Sequence, residues 1–485
     1  MAVARVDSRR LVLVASILGS SMAFIDAGVV NVALPRIGRD LGLGLAGRQW
    51  IFLSYSLALA SLYLIGGAVG DRRGQRQVFI ASAVGFAAAS LGAAAAPSAA
   101  ALIGARTLQG GAGAFLTTSS LAYLRATFGD DSGRAVGLWT AWTGITSMLG
   151  PPLGGLCVQY ASWRLVFVVN VPLALAAVAL ARHTPIRERA APPPFDLDAA
   201  VLIALTLAAL TYALVDARAA TWPWVLTAVG LIAFTLRERR ASAPLLPRTL
   251  LRARNFLAAN AVTLLAYAGI YGSNFFLALY LQSVLAFSPL VASFVTAPVS
   301  LVMLGLAGWF GRLADEHGPR LYMTVGPLIT SGGMLMWAAV TRPVQWPFLL
   351  AGVLVYAVGV SIMVAPLTAA ALEAAPVELS GIGAGVNNTV ARVGGLLAVA
   401  GIGIIISFVF HADGGSGGHV LAPGIAGAAR SASIAAFRTG MFVAAGLTAL
   451  SGVVAGFRIK NAVDERPSVG VLAVGSPRRS PRRAA

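Results

Sequence analysis

Gly67-Ala68-Val69-Gly70-Asp71-Arg72-Arg73-Gly74-Gln75-Arg76 is the stretch that decides the architecture, because its pattern returns later in the chain. Gly311-Arg312-Leu313-Ala314-Asp315-Glu316-His317-Gly318-Pro319-Arg320 has the same Gly-x3-Asp-x2-Gly-x-Arg spacing, 244 residues on. Each copy is a charged turn directly after a long apolar run. Arginine-rich turns between apolar runs mark the cytoplasmic loops of polytopic membrane proteins. Two copies at equivalent places imply a helical unit used twice in parallel. Duplicated helix bundles with a site at the repeat interface are an architecture of secondary transporters.

Composition agrees with that reading. The 485 residues are 58% hydrophobic and 11% charged, and the mean hydropathy is +0.80. A soluble domain carries roughly 25% charged residues. Apolar segments fall at about 11–33, 49–69, 77–96, 98–121, 135–158 and 163–181, then at about 199–215 and 222–236. A last six lie at about 255–282, 290–311, 321–340, 346–371, 383–409 and 435–457. Fourteen runs of helix-spanning length, without two-residue alternation, predict membrane helices rather than barrel strands. Arg9-Arg10 followed by Leu11 to Leu18 has the outline of a signal peptide. The apolar pattern runs on to Leu34, however, so a retained first helix is expected. One cysteine, Cys157, excludes a disulfide framework, and the four scattered histidines speak against a metal site. His411 and His419 fall in a Gly-rich outer loop.

The arginines set the orientation. With both termini in the cytoplasm, the cytoplasmic segments hold 26 of the 36 Lys plus Arg and the outer loops 8. The net charge of +18 then marks loops and a basic tail against an anionic membrane, not a nucleic-acid surface. The expected organisation is a six-helix bundle over 1–181, a linker with two inserted helices over 182–254, a second six-helix bundle over 255–457, and a basic tail over 458–485. Pro192-Pro193-Pro194 belongs to the linker.

Further motifs carry a resemblance. The Gly67 to Arg76 string is similar to the loop signature of the major facilitator superfamily. Asp26-Ala27-Gly28-Val29-Val30-Asn31-Val32-Ala33-Leu34-Pro35 resembles the first-span signature of its fourteen-span drug/proton antiporter branch. Arg106-Thr107-Leu108-Gln109-Gly110 resembles the fourth-span motif, and Gly150-Pro151-Pro152-Leu153-Gly154-Gly155 the antiporter motif of span five. Trp163-Arg164 through Phe167, Asn170 and Pro172 matches the start of span six. Two positions depart from the family pattern: Gly28 stands where Thr is usual, and Thr146 where Gly is usual. The resemblance implies an all-α polytopic protein of the major facilitator fold, with two six-helix bundles plus two inserted helices.

Asp26 is the one acid well inside a predicted span, and an intramembrane carboxylate costs roughly 2.5–3.5 kcal/mol to insert. It lies seven residues before the expected outer end of span one near Ala33. Arg106 lies eight residues after the start of span four near Ser98. At ~1.5 Å per residue both sit about 10–12 Å deep, so they can pair. Asp26 is expected to carry the proton and Arg106 to modulate it as a proton-gated latch; a permanent ion pair is the other reading. Gly150, Pro151, Gly154 and Gly155 make span five smooth and bent. The loop residues Gly67, Asp71, Arg72, Gly74 and Arg76 are expected to lock the cytoplasmic gate, with topology alone as the alternative for the arginines.

Substrate residues are less sharply marked. Tyr267, Tyr271, Asn274 and Phe275 share one helical face, which would line a hydrophobic cavity or pack on lipid and neighbours. Arg392, beside Asn387 and Asn388, would meet an anionic substrate group or cap carbonyls. Asn31 and Trp142 complete the candidate lining. The reading that follows is proton-coupled efflux of hydrophobic drug-like or natural-product compounds across the cell membrane by alternating access. It needs no enzyme chemistry, metal or cofactor beyond the proton gradient. The expected partners are the substrate, protons and membrane lipids, without nucleic acid; an accessory efflux subunit is left open. The rivals are a lipid or amphiphile exporter or flippase, and a transporter-like sensor that moves nothing.

Overall fold

The computed structural model describes residues 2–129, 132–184, 196–215, 221–241, 244–245, 248–374, 379–415, 420–422 and 424–461. The linker prolines 192–194, most of the basic tail and the segment 416–419 lie outside the described residues. Among the described residues every regular element is helical. The first group comprises α1 (Ala2–Asp40), α2 (Leu45–Arg73), α3 (Gln75–Ala95), α4 (Ala99–Phe128), α5 (Ser132–Tyr160), α6 (Leu165–Val168) and α7 (Asn170–Arg182). Next come α8 (Leu197–Val215), α9 (Trp222–Arg240) and the short α10 (Arg248–Arg252). The last group comprises α11 (Arg254–Ser283), α12 (Pro289–His317), α13 (Arg320–Ala339), α14 (Trp346–Glu373), α15 (Ser380–Ala412) and α16 (Gly427–Arg458). Nine helices among the described residues are long and apolar enough to cross a membrane. The other long helices, such as α4 and α5, dilute their apolar residues with Gly, Ser and Thr.

Local chemistry explains the breaks. Ser98 and Ser288 each accept a backbone N–H of the first turn, from Ala101 and Val291, and so start α4 and α12. Gly74 and Gly318 occupy the same place in the two copies of the repeated motif. Both take a positive φ, 103° and 85°, which glycine adopts without the clash a Cβ would bring. The predicted sixth span is broken at Val169. Pro172 cannot donate to the carbonyl four residues back, and its ring crowds that carbonyl. Helix α1 overshoots the predicted end near Ala33 and runs through Pro35 to Asp40. There Asp40 accepts the indole N–H of Trp163 at 3.0 Å and pairs with Arg36.

Packing repeats as the sequence does. In the first group α2 and α3 pack on α4, α1 on α5 and α7, and α3 on α7; in the last group α12 and α13 pack on α14, α11 on α15 and α16, and α13 on α16. The groups meet through α5 against α12 and α2 against α15, two pairings that are counterparts of each other. Arg76 and Arg320, at the same motif position, each donate to the last turn of their own group. Arg76 reaches the Ala181 carbonyl at 2.8 Å and Arg320 the Gly456 carbonyl at 2.8 Å. Helix α8 lies across the α2–α15 seam, where Tyr212 sits between Trp50 and Trp222.

At the end of the molecule predicted to face outward, a belt of hydrogen bonds ties the groups together. Arg48, counted from the sequence only as a loop arginine, is 1% exposed. It donates at 2.6 Å to the carbonyls of both Val420 and Leu421. Gln49 donates to Val399 and Gln282 to Val32. Towards the opposite end Gly137 and Gly144 of α5, and Gly305 and Gly308 of α12, face open space. Hydrogen bonds thus tie the groups together at one end, while a Cβ on any of these four glycines of α5 and α12 would meet no neighbour within 4 Å.

Candidate functional site

The core of the first group is built around a carboxylate. Asp26 on α1 and Arg106 on α4 are both 0% exposed and form an ion pair. Gln109, one turn beyond Arg106 and on the same helix face, accepts from Arg106 at 2.7 Å. Its amide donates to Asp26 Oδ1 at 2.8 Å and to Ser90 Oγ of α3 at 2.8 Å. The break before α7 puts Asn170 at a helix start, from which its amide donates to the same Oδ1 at 3.3 Å. Arg106 Nε donates to the Ile51 carbonyl at 3.3 Å. The ring of Tyr55 on α2 lies 4.2 Å from the guanidinium carbon, and its hydroxyl donates to the Ala23 carbonyl.

Burying two charges is tolerable only when they are paired and their remaining hydrogen-bonding capacity is met. Here Gln109, Asn170 and the Ile51 carbonyl hydrogen-bond to the pair, while Asn170 Oδ1 itself has no partner. In a site this dry, adding a proton to Asp26 would remove one of two opposed charges, leaving the other to be held by dipoles and a ring face. The sequence placed Asp26 and Arg106 at one depth on the assumption that α1 ends near Ala33. The helix ends later, and the pair forms nonetheless. Gln109 and Asn170 belong to the fourth- and sixth-span motifs, but residue type alone does not show that they reach Asp26. Ser90 and Tyr55 carried no signal, because their roles depend on which helices pack together.

The candidate substrate residues divide. Arg392 on α15 is half-buried, with its guanidinium carbon 5.6 Å from the ring centre of Tyr63 on α2. Tyr271, 37% exposed, packs against Gly395 and lies 6.0 Å ring to ring from Tyr267. Asn388 is exposed one turn before Arg392. Asn387 is instead buried between α15 and α11, donating to Thr263 at 2.8 Å and to Asn260. Asn274 turns to Tyr356 at 2.6 Å, and Phe275 is buried against Phe52, so the predicted four-residue face splits into an open part and a packed part. Asn31 donates to the Asn274 carbonyl across the two groups, and its own Oδ1 is left without a partner. Trp142, 52% exposed, shares an outward stripe of α5 with Leu138, Leu149 and Leu156. Among the described residues it makes no ring contact with the tyrosines of α11.

The span-five motif is a contact surface. A Cβ on Gly150 would stand 3.0 Å from the Ile25 carbonyl oxygen and one on Gly154 2.8 Å from that of Val29. Gly155 faces α12 instead, 2.8 Å from Leu290 Cα on the same test. Pro151 fills the space at Gly28, where a Cβ would come within 2.9 Å of its ring. Gly28, one of the two departures from the family pattern, is thus the position that packs on this proline. Thr146, the other departure, donates to Ser21 of α1 at 2.9 Å. In the loop motif, Arg72 is exposed and Arg76 holds the end of α7. The side chain of Asp71, and Gly67, lie outside what is described.

Among the described residues no cluster of His, Cys, Asp and Glu is arranged to hold a metal ion. The Major Facilitator Superfamily pattern matches residues 16–399. The tetracenomycin C resistance and export protein of Streptomyces glaucescens is 33% identical over 415 residues, covering 81% of this chain and 75% of that protein. The methylenomycin A resistance protein of Bacillus subtilis is 32% identical over 445 residues, covering 90% and 94%. A solved bacterial homologue of the human lysosomal transporter Spinster, inward-facing and occupied, shares the fold. Its TM-score is 0.69 at 16% identity, with 95% of this chain and 99% of that one covered. With helices, repeat, motifs and relatives in agreement, this multi-pass membrane chain belongs to the Major Facilitator Superfamily.

Proposed function

We propose that this chain is an efflux transporter that expels hydrophobic drug-like or natural-product compounds from the cell in exchange for protons. Its relatives include a tetracenomycin C resistance and export protein and a methylenomycin A resistance protein. Fourteen spans make up the transporter, namely α1 to α5, α6 with α7 as one broken span, α8, α9, and α11 to α16. The bundles over 1–181 and 255–457 rock about their interface, the insert over 182–254 flanks them, and both termini and the tail over 458–485 face the cytoplasm. The protein sits in the cell membrane, draws on the proton gradient without a cofactor, and does no covalent chemistry on its cargo.

The observation that carries the coupling is the sealed Asp26–Arg106 pair. Protonation of Asp26 frees Arg106, which keeps Gln109, the Ile51 carbonyl and the Tyr55 ring as partners. Tyr55 and Ile51 belong to α2, the helix that also meets α15 of the other bundle. A change of charge at Asp26 thus reaches the bundle interface through α2. In proteoliposomes with a trapped pH dye and an imposed proton gradient, added lipophilic compounds should drive proton movement with wild type and not with Asp26→Asn. Compounds that bind without moving protons in either protein would sink the antiport reading.

A further inference from the structure

Arg392 is a half-buried cation for which the described residues supply no counterion. Among the described residues it has no ion pair and no hydrogen bond, and it lies over the ring of Tyr63 across the bundle interface. Asp71, the acid nearest Tyr63 along α2, is eight residues away, about 12 Å along the helix axis. Asp26 is already occupied by Arg106, Gln109 and Asn170. A guanidinium at membrane depth is expensive, and such residues persist where they meet a substrate or ion.

What surrounds it defines the ligand. Tyr271 on α11 packs its partly exposed ring against Gly395, about one turn along α15 from Arg392, and Tyr267 lies 6.0 Å from it ring to ring. With the Tyr63 ring as its one contact of this kind among the described residues, the guanidinium N–H groups remain to be satisfied. Those groups match a carboxylate or phenolate oxygen, whereas tyrosine faces match a flat ring system. An organic cation would meet an unscreened positive charge there.

We propose that Arg392 is the anion-recognition point of the transport site, and that the cargo is a flat aromatic compound bearing one negative charge, stacked on Tyr267 and Tyr271. This rests on the export reading above and names its substrate class. Export of such an anion against an entering proton moves two charges per cycle in the direction favoured by an inside-negative membrane.

The test is binding of anthraquinone-2-carboxylate and of its uncharged twin, anthraquinone-2-carboxamide, to the purified full-length protein in detergent, by calorimetry and without any gradient. Wild type should bind the carboxylate at least tenfold more tightly than the carboxamide. Arg392→Gln should bring that ratio to about one while the carboxamide affinity holds, which also reports an intact fold. Arg392→Lys should keep part of the preference, and Tyr271→Ala should weaken both probes alike. Equal binding by wild type, or a preference that survives in Arg392→Gln, overturns the proposal. So does displacement of the carboxylate by dioleoylphosphatidylglycerol at lower concentration than by the carboxamide, since the anion site would then belong to a lipid headgroup. Because no proton gradient enters the measurement, failure here leaves the antiport reading standing, and failure of Asp26-dependent proton movement leaves this one standing.

Discussion

Arg48→Met removes the strongest tie across the closed end of the molecule. Wild-type Arg48 is buried and donates to two carbonyls, of Val420 and Leu421, each at 2.6 Å. A hydrogen bond from a charged donor contributes about 1.5–3 kcal/mol net of water. Two give about 3–6 kcal/mol, from which the cost of burying the guanidinium must be taken. Taking about 1–3 kcal/mol for that burial, the low end of what a buried charge costs, leaves a surplus of about 2–3 kcal/mol, present only in the outer-closed state, because separation of the bundles returns both partners to water. At 1.4 kcal/mol per factor of ten, Arg48→Met should raise the ratio of outer-open to outer-closed protein about 30- to 150-fold. Methionine keeps most of the volume, so the expected change lies in the equilibrium and not in folding. Spin labels at exposed Ala46 of α2 and Ala428 of α16, with Cys157 replaced by serine, would read the two populations as distances by pulsed EPR. Arg48→Lys, which keeps the charge but not the two-pronged geometry, should fall between. A distance distribution in Arg48→Met within threefold of the wild-type ratio would refute the latch.

Three further outcomes follow from the packing and the pairs. Gly154→Ala pushes a methyl to 2.8 Å from the Val29 carbonyl oxygen and should cost about 1–3 kcal/mol in thermal or SDS unfolding, whereas Gly144→Ala, which faces open space, should be silent; equal effects would show that α1 and α5 are not in close contact. Asp26→Asn strands a buried guanidinium and should destabilise by about 3–5 kcal/mol, and adding Arg106→Gln should cost far less than its effect alone, so additivity within about 0.5 kcal/mol would mean the two side chains do not pair. Arg237 forks onto Asp196, at 2.8 and 3.0 Å, and holds that carboxyl below the usual carboxylate range. The sign follows: this contribution is complete above about pH 4, the unfolded value, and fades only as pH falls through the lower folded one. A carboxyl NMR titration should therefore move Asp196 up towards about 3.9 in Arg237→Ala, and an unmoved midpoint would exclude the pair in solution.

Much of the site was legible because membrane insertion leaves few places for an acid. Asp26 stood out by the cost of its position, and Arg106 by its depth on a second apolar run. The paired partners Gln109 and Asn170 lay in motifs whose residue types were readable but whose direction was not. Asn274 shows the limit of helical spacing, which left open whether its face met a cavity or a neighbouring helix. Helical spacing put it on the face of Tyr267 and Tyr271, yet its amide turns to Tyr356 of α14, a partner 82 residues away that no local pattern marks. Trp142 illustrates the same limit, for an aromatic side chain reads alike whether it meets cargo, lipid or a neighbouring helix.

By itself the sequence determined the helical class, the boundaries of most long helices, the duplicated unit and the acid–arginine pair. These follow from hydropathy, charge and residue spacing, all local properties of a chain in a solvent that forbids unpaired backbone. Only the tertiary structure decided that Arg48 closes one end and that Ser90 and Tyr55 complete the site around Asp26. It also decided that Arg392 stands near the tyrosines with no ion pair among the described residues. Each of these depends on atoms brought together from distant helices, and a backbone carbonyl or a missing counterion leaves no mark in a sequence.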